Sequence, residues 1–345
     1  MARTRKPSKL QGRTTISDVA KACGVSKTTV SKVVNLPPEQ LDVSESARQK
    51  VLAACQKMGY RPNRLARALA SGRTKTIGLV ILETSPGYHS PLWQEITSTL
   101  VNGLHEKQYD VLFVPSADRA ERCIQLLLDL RLEGCLLFHE LTDPMAQALE
   151  EVDLPAVLIN ADGRGLQPSV VPDDVRGAKE LTSHLISLGH RRILYVDSNP
   201  NPRHFSFRCR FEGYRQALAE AGLESGARKL SGVPQDLAAQ IVAMAPRPTA
   251  VVSYDDRFTT AILHGLWKHG VHVPADMSIA TFNNTELTKY SIPSLTTMEV
   301  PAAQMSRQGV QIILKQIETR EKAPPKPILL PETLVIGEST APPPA

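Results

Sequence analysis

Six polar residues within seven positions have the types and spacing needed to read the edges of DNA bases. They are Ser26, Lys27, Thr28, Thr29, Ser31 and Lys32. Lysine ammonium groups donate hydrogen bonds to guanine and phosphate oxygens, and hydroxyl side chains can contact several bases. On a helix, these residues leave the opposite side to the valines at 30, 33 and 34. The pattern predicts a recognition helix, with an apolar stripe that holds it and a polar face that enters the major groove.

The segment just before these residues predicts a first helix and a tight turn. Asp18 follows Thr15 at the spacing of a capping box, and an apolar face repeats at helical spacing as far as Cys23. Gly24 permits the left-handed backbone that ends a helix, and Ser26 can cap the helix that follows. Two capped helices around a glycine turn favour a helix-turn-helix over an ordinary amphipathic helical hairpin.

Positive charge is concentrated at the start of the chain. Residues 1–75 contain sixteen Lys or Arg and four Asp or Glu, which is a net charge of +12. Because the whole chain carries +5, residues 76–345 carry 5 − 12 = −7. This asymmetry is typical of a module that binds a polyanion such as DNA. A membrane surface would also attract the charge, but no amphipathic helix here has a large bulky apolar face, and no aromatic residue precedes Tyr60.

Ser44 opens a predicted third helix, and Gly59 stops it. The short segment that follows combines basic residues with spaced leucines. The segment is about two turns long, below the ~12–15 residues that an isolated helix needs in water. We therefore predict a hinge helix that orders on DNA and wedges a leucine into the minor groove; a plain interdomain connector is the alternative. Its candidate DNA contacts are Asn63, Arg64, Ala66 and Leu69.

Residues 76–340 alternate short apolar runs with amphipathic helical patterns. The predicted strands are Ile77–Leu82, Val111–Val114, Cys135–Phe138, Ala156–Ile159, Ile193–Val196, Ala250–Ser253 and Ser278–Phe282. The predicted helices include Leu92–Lys107, Ala120–Leu130, Ala178–Leu188, Phe211–Ala221 and Thr259–Lys268. Alternation of this kind predicts parallel sheets covered by helices, and the length favours two α/β lobes. The absence of a Walker loop or a glycine-rich dinucleotide fingerprint counts against a nucleotide cofactor.

The strings TISDVAKACGVSKTTVSKVVN and GYRPNRLARALASGRTKTIGLV resemble the headpiece and hinge of the lactose repressor/galactose repressor (LacI/GalR) family of bacterial transcriptional regulators. By position, the resemblance implies that Lys27, Thr28 and Lys32 read bases. It also implies that Asn63 contacts a phosphate and that Leu69 intercalates. Lys32 stands where the family often has arginine, so a bidentate guanine contact would become a single flexible ammonium contact.

The rest of the chain resembles the periplasmic-binding-protein-like core of the same family, through residues 173–193, FEGY at 211–214 and IPSLTTM at 292–298. The resemblance implies an effector cleft between two doubly wound parallel-sheet lobes. The candidate effector contacts are Trp93, Asn160, Arg208, Arg210, Tyr254, Asp255 and Asn283. Asn160 and Asn283 stand where the lactose repressor has aspartates, while the arginines remain. This favours an anionic effector, a sugar acid or sugar phosphate, over a neutral sugar.

Other functions have weaker support in the sequence. The five cysteines are odd in number and widely spaced, which suggests a reducing cytoplasm. We expect no metal site, no cofactor and no catalytic residues, because no ligand spacing or nucleophile motif is present. No secretory segment and no apolar run of ~18 residues is found. The rivals are an enzyme with a DNA-binding appendage and a solute receptor for transport.

The sequence as a whole predicts a cytoplasmic, effector-controlled DNA-binding regulator, most simply a repressor, that acts as a homodimer on operator DNA. Whether effector releases or promotes DNA binding stays open. The predicted segments are a basic disordered arm at 1–13, a headpiece at 14–61, a hinge helix and linker at 62–75, a two-lobed effector-binding and dimerisation core at 76–340 and a disordered tail at 341–345.

Overall fold

The computed structural model divides the chain into two compact units, Met1–Lys75 and Thr76–Ala345. The predicted arm at 1–13 and the predicted hinge contacts Asn63, Arg64, Ala66 and Leu69 lie outside the described residues. The described residues are 14–35, 38–60, 73–81, 90–115, 120–129, 132–138, 141–198 and 204–344.

The first unit contains the three helices that the sequence predicts. They are α1 (Ile16–Cys23), α2 (Lys27–Asn35) and α3 (Glu45–Lys57), with a short 3-10 turn at Pro38–Gln40 between the last two. Each helix contributes one fully buried valine, Val19, Val30 and Val51, to a single small hydrophobic core. Because this core is small, each of these side chains holds a large share of the unit together.

The second unit contains two six-stranded sheets. The sequence predicts two parallel-sheet lobes, but only seven of their strands. Its strands are β1 (Thr76–Ile81), β2 (Asp110–Pro115), β3 (Gly134–Phe138), β4 (Ala156–Ile159), β5 (Ser169–Pro172), β6 (Ile193–Asp197), β7 (Arg228–Ser231), β8 (Ala250–Ser253), β9 (Ser278–Phe282), β10 (Thr296–Glu299), β11 (Pro327–Leu330) and β12 (Thr333–Val335). The first sheet has the order β11-β5-β4-β3-β1-β2 and the second β12-β10-β9-β8-β6-β7. All described pairings are parallel except that of β10 with β12.

Helices cover both faces of each sheet. Because strands buried on both faces have no side exposed to water, most of them are almost continuously apolar. The helices are α4 (Pro91–Glu106), α5 (Ala120–Asp129), α6 (Asp143–Glu151), α7 (Asp174–Ser187), α8 (Phe205–Glu220), α9 (Pro234–Ala243), α10 (Asp256–Lys268), α11 (Glu286–Tyr290) and α12 (Ala302–Thr319). Strand β1 shows the principle, because Ile77 and Leu79 enter one hydrophobic cluster and Val80 enters the cluster on the opposite face. The predicted fold class, a helix-turn-helix headpiece with a doubly wound two-lobed core, is confirmed.

The chain passes between the two lobes at three places. Strand β5 of the first sheet leads into α7 and β6 of the second lobe, and β10 leads back to α12 in the first. The last passage lies between β11 in the first sheet and β12 in the second, with Glu332 between them. These crossover segments matter for function because any movement of one lobe relative to the other must pass through them.

The prediction of a disordered tail at 341–345 is wrong for its first residues. The backbone of Ala341 accepts a hydrogen bond from His190 Nε2 at 2.9 Å and donates one to Ser278 Oγ at 3.0 Å. Pro343 lies 3.4 Å from the position that a Cβ atom on Gly189 would occupy. Proline-rich composition predicted disorder, but bonds to the buried His190 and Ser278 fix the segment.

Candidate functional site

The start of the headpiece is fixed by the predicted capping residues. The Asp18 carboxylate accepts hydrogen bonds from Thr15 N at 2.8 Å and from Thr15 Oγ1 at 2.7 Å. The hydroxyl bond is the main reason that the pKa of Asp18 lies below its ordinary value. Negative charge at this end also complements the α1 dipole. The interaction sets where α1 begins, and therefore where the turn that follows it lies.

The turn between α1 and α2 has the geometry that its residues predict. Gly24 adopts a left-handed backbone with φ of 65°, which a side chain would disfavour. The next amide, Val25 N, closes the turn on Ala20 O at 3.1 Å. Ser26 Oγ then accepts from Thr29 N at 3.0 Å and caps α2. The turn thus presents α2 in a defined orientation relative to α1.

Helix α2 has two different faces. Val30 and Val33 are 0% and 5% exposed, and they fix the helix to the headpiece core. Lys27, Thr28 and Lys32 are exposed, and no described residue forms a hydrogen bond with their side chains. A helix with a fixed apolar side and an unoccupied polar side is what major-groove reading needs.

Three of the six predicted base-reading residues have partners within the headpiece. The hydroxyls of Ser26 and Thr29 lie 2.8 Å apart and bond to each other. Ser31 Oγ accepts from Asn35 Nδ2 at 3.3 Å. These hydroxyls already shape the helix, so they are less available for base contacts than Lys27, Thr28 and Lys32, and a phosphate contact suits them better.

In the core, Arg210 connects two of the predicted effector residues of the second lobe, Tyr254 and Asn283. Its Nε donates to Asp174 Oδ1 at 2.6 Å and its Nη1 to Tyr254 O at 2.6 Å. Its Nη2 donates to Asn283 Oδ1 at 3.4 Å and lies 4.0 Å from Glu332 Oε1. Arg210 is only 3% exposed. Because each of its three nitrogens has an acceptor within the protein, the guanidinium joins the members of this cluster to one another.

The charge of Arg210 is balanced inside the protein. Burial lowers the pKa of a guanidinium, but Asp174, Tyr254 and Glu332 outweigh this, and the pKa of Arg210 is raised. The guanidinium also lies over the ring of Phe282, 4.2 Å from its centroid. The sequence prediction of an anionic effector counted Arg210 as an uncompensated cation, and the bond to Asp174 weakens that inference.

The two amides that the resemblance matches to aspartates of the lactose repressor have an unusual backbone. Asn160 and Asn283 have φ angles of 52° and 93°, directly after β4 and β9. Asparagine is among the residues that tolerate this left-handed region best. The backbone therefore offers a conformational reason for asparagine at both positions, separate from effector charge. Asn160 also meets the second lobe, since its carbonyl bonds to His204 Nε2 at 2.8 Å.

Tyr254 and Asp255 follow β8 and have structural partners. The Tyr254 ring stacks on Phe207, with centroids 3.6 Å apart and planes at 11°. Asp255 Oδ1 accepts from Phe258 N at 2.7 Å and caps α10. Burial raises the pKa of both Tyr254 and Asp255. Both residues lie beside the Arg210 cluster, and their side chains also stabilise the fold there.

The two remaining predicted contacts are placed differently. Arg208 is exposed, two positions before Arg210 on α8. Trp93 belongs to the first lobe, on the first turn of α4, where its ring meets the edge of Phe138 at 6.1 Å. Arg208 is thus the more exposed of the two arginines, and Trp93 lies in the opposite lobe.

Sequence reasoning missed four members of this cluster. Asp174, Phe207 and Glu332 contact Arg210 or Tyr254 directly, and Asp256 accepts from Asn283 Nδ2 at 3.4 Å. Asp174 lies in a motif that the sequence singles out, so its acidic character was an available signal. Glu332 carried no such signal, because only the fold brings it next to α7 and α8.

The described residues contain no group of side chains arranged to hold a metal ion. Within the same residues, no helix has the length and apolar character required to span a bilayer.

Comparison with known proteins identifies both parts of the chain. Residues 15–63 match the family described as bacterial regulatory proteins, lacI family, and residues 182–340 match a periplasmic binding protein-like domain. The HTH-type transcriptional regulator DegA of Bacillus subtilis (strain 168) is 33% identical over 96% of this chain and 99% of its own length.

Two solved structures of regulators have the same fold. The lac repressor dimer bound to operator and the anti-inducer ONPF superposes with a TM-score of 0.82 at 25% identity, covering 96% of this chain and all of that one. The complex of the transcriptional regulator CelR with cellobiose has a TM-score of 0.69 at 27% identity, covering 95% of this chain and all of that one.

Fold and comparisons together define a class, that of DNA-binding transcriptional regulators with a periplasmic-binding-protein-like core. Within that class, the chain belongs to the LacI family. Its relatives include transcriptional regulators and repressors. Among the solved structures, the lac repressor holds operator and an anti-inducer, and CelR holds cellobiose.

Proposed function

We propose that this chain is a homodimeric repressor that reads operator DNA through α2 and answers to a small carbohydrate-type effector bound between the core lobes. The observation that carries the proposal is the division of α2 into a buried valine side and an exposed side with Lys27, Thr28 and Lys32. We assign base reading to these three residues. Ser26, Thr29 and Ser31 would support them by capping and by phosphate contacts.

The carbohydrate class is supported by the groups around Arg210. Amides such as Asn160 and Asn283 both donate and accept hydrogen bonds, which suits sugar hydroxyls. One similar regulator has been solved with cellobiose. A sugar acid or sugar phosphate would need a cation beyond Arg210, which Asp174 already pairs. The exposed Arg208 would supply it, so the anionic subclass depends on that side chain.

Calorimetric titration tests the effector class directly. The panel contains cellobiose, D-ribose, D-glucose, D-gluconate and D-glucose 6-phosphate. Saturable binding of a sugar is expected, and binding of the acid or phosphate should be lost in Arg208→Met. If only neutral sugars bind, the anionic subclass is refuted. If only non-carbohydrate metabolites bind, the carbohydrate proposal fails.

A gel-shift titration on the DNA upstream of the chain's own gene tests operator binding. We expect specific binding that changes when the bound sugar is added, and the direction of change gives the sign of the response. Absence of specific binding, with and without the sugars, would contradict the regulator proposal.

The hinge is proposed by analogy with the family, because it lies outside the described residues. Leu69→Ala should weaken specific operator binding by roughly 1–3 kcal/mol, because the variant lacks the apolar wedge that keeps one base step unstacked. Sugar affinity should stay near wild type. Gel-shift and calorimetry on the same preparation measure both quantities. Unchanged operator affinity in the variant would refute the wedge role.

The dimer proposal is supported by an exposed apolar site in the second lobe. Tyr290 and Ile292 are 77% and 96% exposed and lie two positions apart. Contiguous exposed apolar surface often marks an interface, and we assign these two side chains to the dimer contact. Sedimentation equilibrium should give twice the mass of the chain, and a chain mass at micromolar concentration would contradict the proposal.

A further inference from the structure

Glu332 is unusual because it is an ionisable residue in a buried position. Its side chain is 0% exposed, yet neither of its carboxyl oxygens has a hydrogen-bond partner among the residues that the structure describes. Burying a carboxylate without donors is strongly unfavourable, and a buried polar group with no partner calls for an explanation. The explanation should lie in what surrounds the side chain.

Glu332 lies where two crossover segments between the lobes meet. It stands between β11 and β12, and just before it Leu330 O accepts from Asp173 N at 2.8 Å, at the start of α7. On the first turn of α7, Gly177 leaves the space that the glutamate fills. A Cβ atom on Gly177 would lie 1.7 Å from Glu332 Oε2. The lack of a side chain at 177 therefore allows the glutamate to reach the centre of the cluster.

The charged groups facing Glu332 come from α7 and α8. Burial raises the pKa of Glu332 well above its ordinary value. The carboxylates of Asp174, Asp173 and Glu180 raise the pKa further, and the Arg210 guanidinium opposes them. These groups therefore favour the protonated form of Glu332 more strongly than that of an ordinary glutamate, whose pKa is about 4.3.

The protonation state of Glu332 would affect which acceptor Arg210 Nη2 binds. The Nη2 atom donates to Asn283 Oδ1 at 3.4 Å and lies 4.0 Å from Glu332 Oε1. A neutral Glu332 leaves this donor on Asn283, which is one of the predicted effector contacts. An ionised Glu332 would compete for the same donor, because charge-assisted hydrogen bonds are stronger than neutral ones.

We propose that Glu332 is a positioning residue of the effector site, whose carboxyl group on a crossover segment, 4.0 Å from Arg210 Nη2, keeps the guanidinium directed at Asn283. The guanidinium then joins two crossover segments, through Asp174 and Glu332, to the ends of β8 and β9, through Tyr254 and Asn283. Lobe movement at the crossovers and the shape of the effector site are thereby linked by one side chain. The effector part of this inference rests on the proposed function.

The first test is the pH dependence of stability in the full chain. Because the pKa of Glu332 is raised in the folded state, its proton stabilises the fold at low pH, and this contribution is lost as pH rises through the folded value. The urea midpoint of Glu332→Gln, which cannot ionise, should exceed that of wild type by an amount that grows as pH rises from about 4.3. Parallel profiles for the two proteins would overturn the proposal.

The second test observes Arg210 itself, by the arginine Nε–H signals of protein labelled with 15N-arginine. The Arg210 signal is the one absent in Arg210→Lys. We expect Glu332→Ala to shift this signal and the conservative Glu332→Gln to keep its wild-type position at neutral pH. A signal unmoved by alanine, or moved equally by both substitutions, would overturn the positioning role. Gly177→Ala, which displaces Glu332 without removing it, should shift the signal as Glu332→Ala does.

Glu338→Gln is the matched control. This glutamate lies six positions further along the chain and accepts from Ser294 Oγ at 3.1 Å on the surface. It should change neither the slope of the stability profile nor the Arg210 signal. Both tests are made without effector, so a chain that bound no sugar would refute the proposed function and leave the test of Glu332 intact.

Discussion

The candidate functional residues of the headpiece and of the core differ in their exposure and in their hydrogen bonding. In the headpiece, a single small core holds α2 by its valines, and Lys27, Thr28 and Lys32 remain exposed. In the core, the arginine that the family resemblance assigns to the effector is 3% exposed and bonded to Asp174, Tyr254 and Asn283. DNA phosphates and bases offer strong hydrogen-bonding groups to the side chains of α2. These side chains therefore need no partner within the protein before DNA binds.

A small ligand must instead meet groups that are already ordered. Preorganised donors and acceptors reduce the ordering cost of binding, and the bonds between Arg210, Asp174 and Asn283 provide this order. We therefore expect substitutions on the exposed face of α2 to change DNA affinity independently of one another. A substitution at a member of the Arg210 cluster should instead change the stability of the core, because the members are bonded to one another. The following substitutions test this difference.

Arg210→Met should have the largest effect. It leaves the Asp174 carboxylate buried without its cation, and removing one partner from a buried ion pair typically destabilises by about 3–5 kcal/mol. Urea unfolding of the core measures the change. The control is Arg208→Met on the same helix, which removes an exposed arginine and should shift stability by less than about 0.5 kcal/mol. Equal effects would mean that the buried cluster contributes no special stability.

Val30→Ala should affect the headpiece and leave the core unchanged. The valine is fully buried in the small headpiece core, and the lost methyl groups and the cavity should cost about 2 kcal/mol of headpiece stability. We expect specific DNA binding to fall while the unfolding transition of the core is unchanged, as measured by gel shift and calorimetry. Val233→Ala, at a valine that is 57% exposed in the core, should leave both quantities near wild type. A shifted core transition in Val30→Ala would contradict independence of the units.

Lys32→Ala tests the open face of α2 without disturbing its packing. Loss of a base or phosphate contact should weaken operator binding by about 1–2 kcal/mol, and headpiece stability should not change. Gel-shift titrations at several salt concentrations show whether the lost contact was to a base or a phosphate, because only a phosphate contact lowers the salt slope by about one. Lys268→Ala removes an exposed charge from the core and should alter neither affinity nor slope.

Asp18→Asn should give the smallest effect, and its sign depends on pH. Because the pKa of Asp18 is lowered, mainly by the Thr15 hydroxyl, the carboxylate stabilises the headpiece above its ordinary pKa. That contribution disappears as pH falls through the lowered value. Thermal unfolding of wild type and variant should therefore differ at neutral pH and converge in acid. Asp42→Asn, at another exposed carboxylate, is the matched control and should leave thermal unfolding at neutral pH near that of wild type.

Local signals predicted the headpiece well. Thr15, Asp18, Gly24 and Ser26 act within a few residues of their own positions, so capping and turn chemistry could be read from spacing alone. The core strands were found for a related reason, because strands buried on both faces are apolar runs. Short edge strands such as β7 and β12 were missed, since pairing with a neighbouring strand defines them more than their composition does.

The sequence by itself determined the helix-turn-helix, the basic charge of the first segment, the α/β alternation and the positions that resemble family contacts. These depend on residue type and short spacing, which the chain carries before it folds. Only the tertiary structure decided that Arg210 is paired with Asp174, that Asn160 and Asn283 occupy left-handed backbone, and that Glu332 fits against Gly177. The physical reason is that charge compensation and burial depend on residues that meet across more than a hundred positions, as Glu332 and Arg210 do.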